Sequence, residues 1–131
     1  MESIVEQQQP EEALPAVDLT HAEALTVIKC HLLGLVTLGI YPYLNYRLSH
    51  KKDPFLEFHS LQALLFVMPL VLSDGFAMNV VFPLNLIYCV VSSVVWAFLS
   101  LVVAASANQG KWADLPLFGL LARRLLKMPP A

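Results

Sequence analysis

The residues able to do chemistry crowd one short stretch: His50, Asp53, Glu57, His59 and Ser60, with Lys51 and Lys52 among them. Carboxylates beside imidazoles could form a general acid–base set, because proton transfer favours groups that titrate near neutrality. Asp53, Glu57, His50 and His59 are the only residues on which an enzymatic reading at a membrane face can rest. A serine nucleophile needs its base within hydrogen-bond reach. Ser60 only adjoins His59, and sequence neighbours on a helix do not face each other. Glu57 more simply faces Lys51, Lys52 or lipid headgroups. No catalytic residue is therefore assigned. His59 reads as a polar residue at the mouth of a helix, hydrogen-bonded together with Gln62 to a neighbouring helix or a loop carbonyl. On that reading His59→Asn preserves folding and insertion.

Metal and pigment chemistry finds little support. Placed on two successive spans, His31 and His59 fall on the order of 15 Å apart along the membrane normal at about 1.5 Å per residue. They could not then grip one iron. Cys30 and Cys89 both sit in apolar runs and read as buried free thiols. No CxxC or His/Cys cluster suggests zinc, and no cofactor is expected. Lys29 and His31 are the only ionisable groups set away from a surface, too few for a proton relay.

These residues must be held by elements suited to lipid. The chain is 57% hydrophobic and 14% charged, where a soluble domain carries about a quarter charged residues. Its charges are segregated. Glu2, Glu6, Glu11, Glu12, Asp18 and Glu23 precede the first Lys or Arg, and residues 54–110 contain Glu57 and Asp74 but no Lys or Arg. Nucleic-acid binding, which wants a basic face, is not indicated. The start, "MESIVEQQQPEE", lacks the basic and apolar regions of a signal peptide.

The expected fold is all-α and integral to a membrane, with three transmembrane helices over about 20–46, 54–72 and 83–107, each near the roughly 20 residues a bilayer requires. Thr20 and Glu23 form a capping box at the first. Asp53 caps the second, with Pro54 at its first position, and "SDG" at 73–75 should end it. Pro42 and Pro69 imply kinks. A two-span arrangement with the first segment lying flat is the alternative. Residues 1–19 are acidic, Gln-rich and expected to be disordered. Over 108–131 a short amphipathic helix, capped by Asp114 and preceded by Trp112, should lie in the headgroup plane. Three spans with the N-terminus outside and the C-terminus inside place Arg47, Lys51, Lys52, Arg123, Arg124 and Lys127 on one membrane surface, where they would meet anionic headgroups.

Small and polar residues recur at helical spacing. Cys30, Gly34, Thr37, Tyr41 and Asn45 share a face of the first helix; His59, Gln62, Phe66 and Pro69 share one of the second; Ser93, Ala97, Ser100, Ala104 and Ala107 share one of the third. Such faces let helices approach closely. They serve internal packing or dock a partner, either another membrane subunit or a second copy of the chain.

The stretch "LGIYPYLNYRLSHKKDPFLEFHSLQALLF" and the later "ASANQGKWADLPLFG" resemble the Tic-translocon-like superfamily of small membrane proteins. The shared features are Phe58-His59 followed by Gln62-Ala63-Leu64, the close succession of spans, and the tail residues Ala107, Gly110 and Pro116. The superfamily's bacterial members are of unknown function, and it is named for a subunit of the chloroplast inner-envelope import machinery. The resemblance implies a component of protein translocation or transport. The residues themselves favour a non-enzymatic accessory or assembly subunit of a larger membrane complex, acting through helix contacts in a bacterial inner membrane or an organelle membrane of bacterial origin.

Overall fold

The computed structural model describes residues 14–79 and 82–129. Among them are five α-helices and no strand: α1 (His21–Leu33), α2 (Ile40–Ser49), α3 (Pro54–Ala77), α4 (Leu84–Ala107) and α5 (Phe118–Leu126). Residues 1–13, most of the tail expected to be disordered, lie outside the described residues.

The first expected span is two helices. α1 starts where the capping box sets it: Glu23 N donates to Thr20 Oγ1 at 3.3 Å, and Thr20 N donates to Glu23 Oε2 at 2.8 Å. Between Gly34 and Gly39 the helix breaks. Leu38 and Gly39 adopt positive φ of 50° and 82°, which glycine accepts freely and a Leu does not. Thr37 Oγ1 donates back to Leu33 O at 2.8 Å and accepts from Tyr41 N at 3.2 Å, stitching the break. With 13 and 10 residues, neither piece reaches the roughly 20 residues needed to cross a bilayer. Two helices, α3 and α4, are long and apolar enough to do so. The three-span expectation is corrected to two, because backbone reversal at Leu38 and Gly39 outweighs the continuous apolar run.

The contacts trace the path this break imposes. Cys30 and His31 of α1 meet Ser60 and His59 of α3. Gly34 presses on Val67, and Gly39 sits against Leu64 and Met68. The chain then returns, with Tyr46 packed on Phe58 and His50 bonded to Glu57. Residues 20–50 thus form a helical hairpin that runs halfway along α3 and comes back.

α3 begins as its sequence dictates. The Asp53 carboxylate accepts from Phe55 N and Leu56 N, both at 3.0 Å, and Pro54 occupies the first position. It continues past Pro69 and through Ser73-Asp74-Gly75 to Ala77, beyond the end expected near residue 72. Ser73 Oγ donates back to Leu70 O, and Asp74 Oδ1 accepts from Ser92 Oγ of α4 at 2.9 Å. The supposed turn is therefore bonded into the helix pair. α4 matches its expected limits, with Pro83 immediately before it. At 24 residues each, both helices extend about 36 Å, against a hydrocarbon core of about 30 Å.

α5 docks along α3 rather than lying apart from it. Phe118 stacks near Phe66 with ring centroids 5.3 Å apart, while Ala122, Leu126 and Met128 reach the Phe58–Leu61 cluster. Asp114 does not cap this helix; Leu117 occupies that position without a side-chain cap.

Packing is concentrated at one end. Val27, Phe55 and Ala107 form one cluster, and Phe58, Leu61 and Ala122 another. Trp112 bridges them, its ring 5.0 Å from Phe55 and 5.6 Å from Phe58. No residue of α3 after Val67, and none of α4 before Trp96, is buried. There Leu72, Phe76, Leu84, Ile87 and Val94 stand exposed. The molecule has a packed head of helix halves and loops, with a bare apolar hairpin projecting from it.

Both ends of the described chain meet at the head. Val17 N donates to Gly110 O at 2.8 Å, and Trp112 Nε1 donates to Pro15 O at 3.0 Å. The N- and C-terminal segments thus pack against the same end of the bundle.

Candidate interaction site at the head of the bundle

Three polar groupings occupy the head. The first is a buried seam where α1 crosses α3. His31 Nε2 lies 3.4 Å from His59 Nδ1, and Cys30 Sγ lies 3.5 Å from Ser60 Oγ. His31 is 1% exposed and His59 is 0% exposed, so this contact belongs to the core and not to a membrane surface. Phe55 and Phe58 enclose the His59 ring, with centroids 4.5 and 5.1 Å away. The expected wide separation of the two histidines is overturned. It assumed that α1 ran on as a span, whereas the break folds its C-terminal turn onto the second turn of α3. Among the described residues no group of three or more His, Cys, Asp or Glu is placed to hold a metal ion. The other ring nitrogens, His31 Nδ1 and His59 Nε2, have no hydrogen-bond partner among the described residues. Unpartnered polar atoms are rare in packed interiors and costly.

The second grouping ties the loop after α4 to α3. Gln62 Nε2 donates to Ala113 O at 3.2 Å. Arg123 Nε donates to both Asp114 oxygens at 3.1 and 2.9 Å, and its Nη1 donates to Pro129 O at 3.1 Å. The guanidinium carbon stands 5.1 Å from the centre of the Phe58 ring. Arg123 is 4% exposed, so it is not the surface cation expected of it. Burial of α5 against α3 turns this residue inward, where its flat, multiply donating head can satisfy a carboxylate and a carbonyl together.

The third lies where α2, the start of α3 and the end of α5 converge. A cavity of about 440 Å³ opens there, lined by Tyr46, His50, Lys51, Glu57, Leu126 and Lys127 among others. His50 Nδ1 bonds directly to Glu57 Oε1, and Lys51 N donates to Glu57 Oε2 at 3.1 Å. Both carboxylate oxygens are thus engaged. Of the four residues that an acid–base site would have used, only His50 and Glu57 meet. Asp53 is spent on the helix cap, and His59 faces His31.

The three small-residue stripes fare differently. The break divides the first: Cys30 and Gly34 face α3, Thr37 sits in the turn, and Tyr41 and Asn45 belong to α2, where Asn45 Nδ2 donates to Tyr41 O. On α3, His59 and Gln62 are buried but Pro69 is exposed. On α4, Ser100, Ala104 and Ala107 are buried, while Ser93 and Ala97, nearer the bare end, are half-buried. Ser100 Oγ and Trp96 Nε1 are buried without hydrogen-bond partners among the described residues. Arg47, Lys52 and Arg124 remain exposed.

Sequence reasoning missed Asp74–Ser92, Asp114–Arg123, His50–Glu57 and Trp112–Pro15. The first three join residues that are 18, 9 and 7 positions apart, beyond the three- and four-residue spacing that links neighbours on one helix. An acid at 74 inside an apolar chain was the one available signal for the first.

No curated protein and no solved structure matches the chain. A family model does: the MamF/MmsF family, described as a magnetosome magnetite crystal formation protein family, matches residues 19–122. That span includes α1 to α4, the first half of α5 and the whole of the buried seam, while Arg123 of the second grouping and Leu126 and Lys127 of the third lie just beyond it. It overturns the resemblance to the Tic-translocon-like superfamily, whose shared features were short apolar patterns that recur wherever amphipathic segments enter a bilayer. A match over most of the described fold settles the affiliation: the chain belongs to the MamF/MmsF family of magnetosome magnetite crystal formation proteins.

Proposed function

We propose that this protein is an integral component of the magnetosome membrane that supports magnetite crystal formation without catalysing a reaction, as an accessory subunit acting through helix contacts. The observation that carries this reading is the family match over residues 19–122. The bare hairpin supports it. Exposed Leu72, Phe76, Leu84, Ile87, Val94 and Phe98 on helices long enough to cross a bilayer suit hydrocarbon, where helices satisfy their own backbone groups. Arg47, Lys51 and Lys52 precede α3, and Lys111 follows α4. By the positive-inside tendency the head faces the cytoplasm and the loop between α3 and α4 faces the vesicle interior. Partner subunits of the same membrane would dock on the exposed helix faces.

The experiment is magnetic isolation of magnetosomes from a strain carrying a tagged copy, an alkaline carbonate wash, and crystal sizing by electron microscopy in the deletion and complemented strains. The expected result is a tag that resists the wash, and crystals altered in size or shape by deletion and restored by complementation. Release of the tag by carbonate, or crystals unchanged by deletion, would overturn the proposal.

A further inference from the structure

We infer that the cavity between α2, the start of α3 and the end of α5 is a binding pocket for the phosphate headgroup of an anionic phospholipid. The inference rests on the membrane placement proposed above. Lys51 and Lys127 are the two cationic residues among those lining the cavity. Among the described residues the only acid lining it is Glu57, whose oxygens bond His50 and the Lys51 backbone N–H. Counting the lysines and Glu57, the lining carries a net charge of +1 (two positive, one negative), and each Glu57 oxygen already accepts a hydrogen bond. A divalent cation would meet the two ammonium groups and is disfavoured. An anion meets two donors.

Depth and shape narrow the anion to a lipid. Pro54, the first residue of α3, also borders the cavity, which puts the pocket at the level where a span emerges into headgroups. Beside His50, its remaining wall includes Tyr46 from α2 and Leu125 and Leu126 from α5, and Leu125 is 57% exposed toward the outside. A headgroup could seat its phosphate between the lysines while its glycerol and first methylenes follow that wall. The volume of about 440 Å³ falls within the ~300–1,000 Å³ of small-ligand sites. Basic pockets between membrane helices on the cytoplasmic side take acidic headgroups by this chemistry. Lys51 and Lys127 come from distant parts of the chain, and each sits at positive φ, 62° and 56°, just past the ends of α2 and α5.

The test uses the full chain reconstituted in vesicles and then released into detergent for native mass spectrometry. The vesicles contain equal amounts of phosphatidylglycerol and phosphatidylcholine. The expected result is selective retention of phosphatidylglycerol, falling about fivefold for Lys51→Gln or Lys127→Gln and on the order of 25-fold for the pair. Lys29→Gln, outside the pocket lining, should retain the preference. Equal retention of the two lipids, or a preference unchanged in the double variant, overturns the pocket. A phosphate adduct formed on adding millimolar inorganic phosphate, with no lipid adduct in its absence, would make the site one for free phosphate and overturn the lipid assignment. Insertion is scored separately by carbonate extraction of the same vesicles. A chain that fails to insert refutes the membrane reading, whereas an inserted chain without selectivity refutes only the pocket.

Discussion

Gly110→Ala isolates the contact that closes the head. Gly110 has φ +71°, and a Cβ built there would stand 1.9 Å from Val17 O and 3.0 Å from Val17 C. The opposing atoms are backbone, so no side-chain rotation relieves the clash, and the segment carrying Val17 must move. Two bonds then go: Val17 N to Gly110 O at 2.8 Å and Trp112 Nε1 to Pro15 O at 3.0 Å. At about 1 kcal/mol each, their loss is about 2 kcal/mol, or about 30-fold in the local opening equilibrium. Left-handed backbone at a residue with a Cβ adds about 1–2 kcal/mol of strain to the head as a whole. The assay is amide hydrogen exchange in nanodiscs, read at Val17 and at the α3 amides separately. Val17 should exchange about 30-fold faster in the variant, with α3 amides between Ser60 and Val67 much less affected. Gly75→Ala is the control, since nothing lies within 4 Å of a Cβ there and it sits inside α3. It should stabilise that helix by about 1 kcal/mol. If Val17 keeps its wild-type protection in Gly110→Ala, the N-terminal segment is not held by this contact and the description of the head is wrong.

Three further perturbations probe the head. Arg123→Gln removes one partner of a pair whose cation is 5% exposed and whose carboxylate is 25% exposed; denaturant unfolding in detergent should show a loss of about 3 kcal/mol. Arg123→Lys should not rescue it, because a point charge cannot reproduce the donors to Asp114 and Pro129. His59→Asn should cost about 2–4 kcal/mol in the same assay, since it vacates ring volume beside Phe55 and Phe58 and leaves His31 Nε2 without its partner; a neutral outcome would restore the surface reading of His59. The Glu23 carboxyl is held below its usual range, first by the Thr20 hydroxyl and then by the Thr20 backbone N–H. A depressed folded-state value means that the capping contribution is present above the unfolded value of about 4.3 and is lost as pH falls through the folded one. Circular dichroism between pH 6 and pH 3 (on the order of that window) should show α1 fraying that Glu23→Gln abolishes.

Local signals in the sequence were reliable wherever the deciding interaction was itself local. The Thr20–Glu23 capping box, the Asp53 cap with Pro54, and the limits of α4 follow from residues within one turn of each other, and the structure places them there. The same locality misled at Gly34–Gly39 and at Ser73-Asp74-Gly75. An apolar run reads as one helix, yet a glycine at φ +82° and a hydroxyl bonding backwards reverse it. A Ser-Asp-Gly turn reads as an end, yet a serine 18 residues away holds it in the helix. The charge distribution marked out a chain suited to lipid, and composition alone sufficed for that because hydrocarbon tolerates few unpaired charges.

What the sequence by itself determined is the apolar character of the chain, the identity of its two long helices and where the capped helices begin. Each depends on hydrophobicity or on hydrogen bonds spanning a few residues. Only the tertiary structure decided that residues 20–50 double back, that His31 meets His59, that Arg123 turns inward to Asp114, and that Lys51 and Lys127 share one cavity. Those outcomes depend on which helix faces pack together. Side-chain volumes and backbone reversals settle that across tens of residues, where no periodicity along the chain records it.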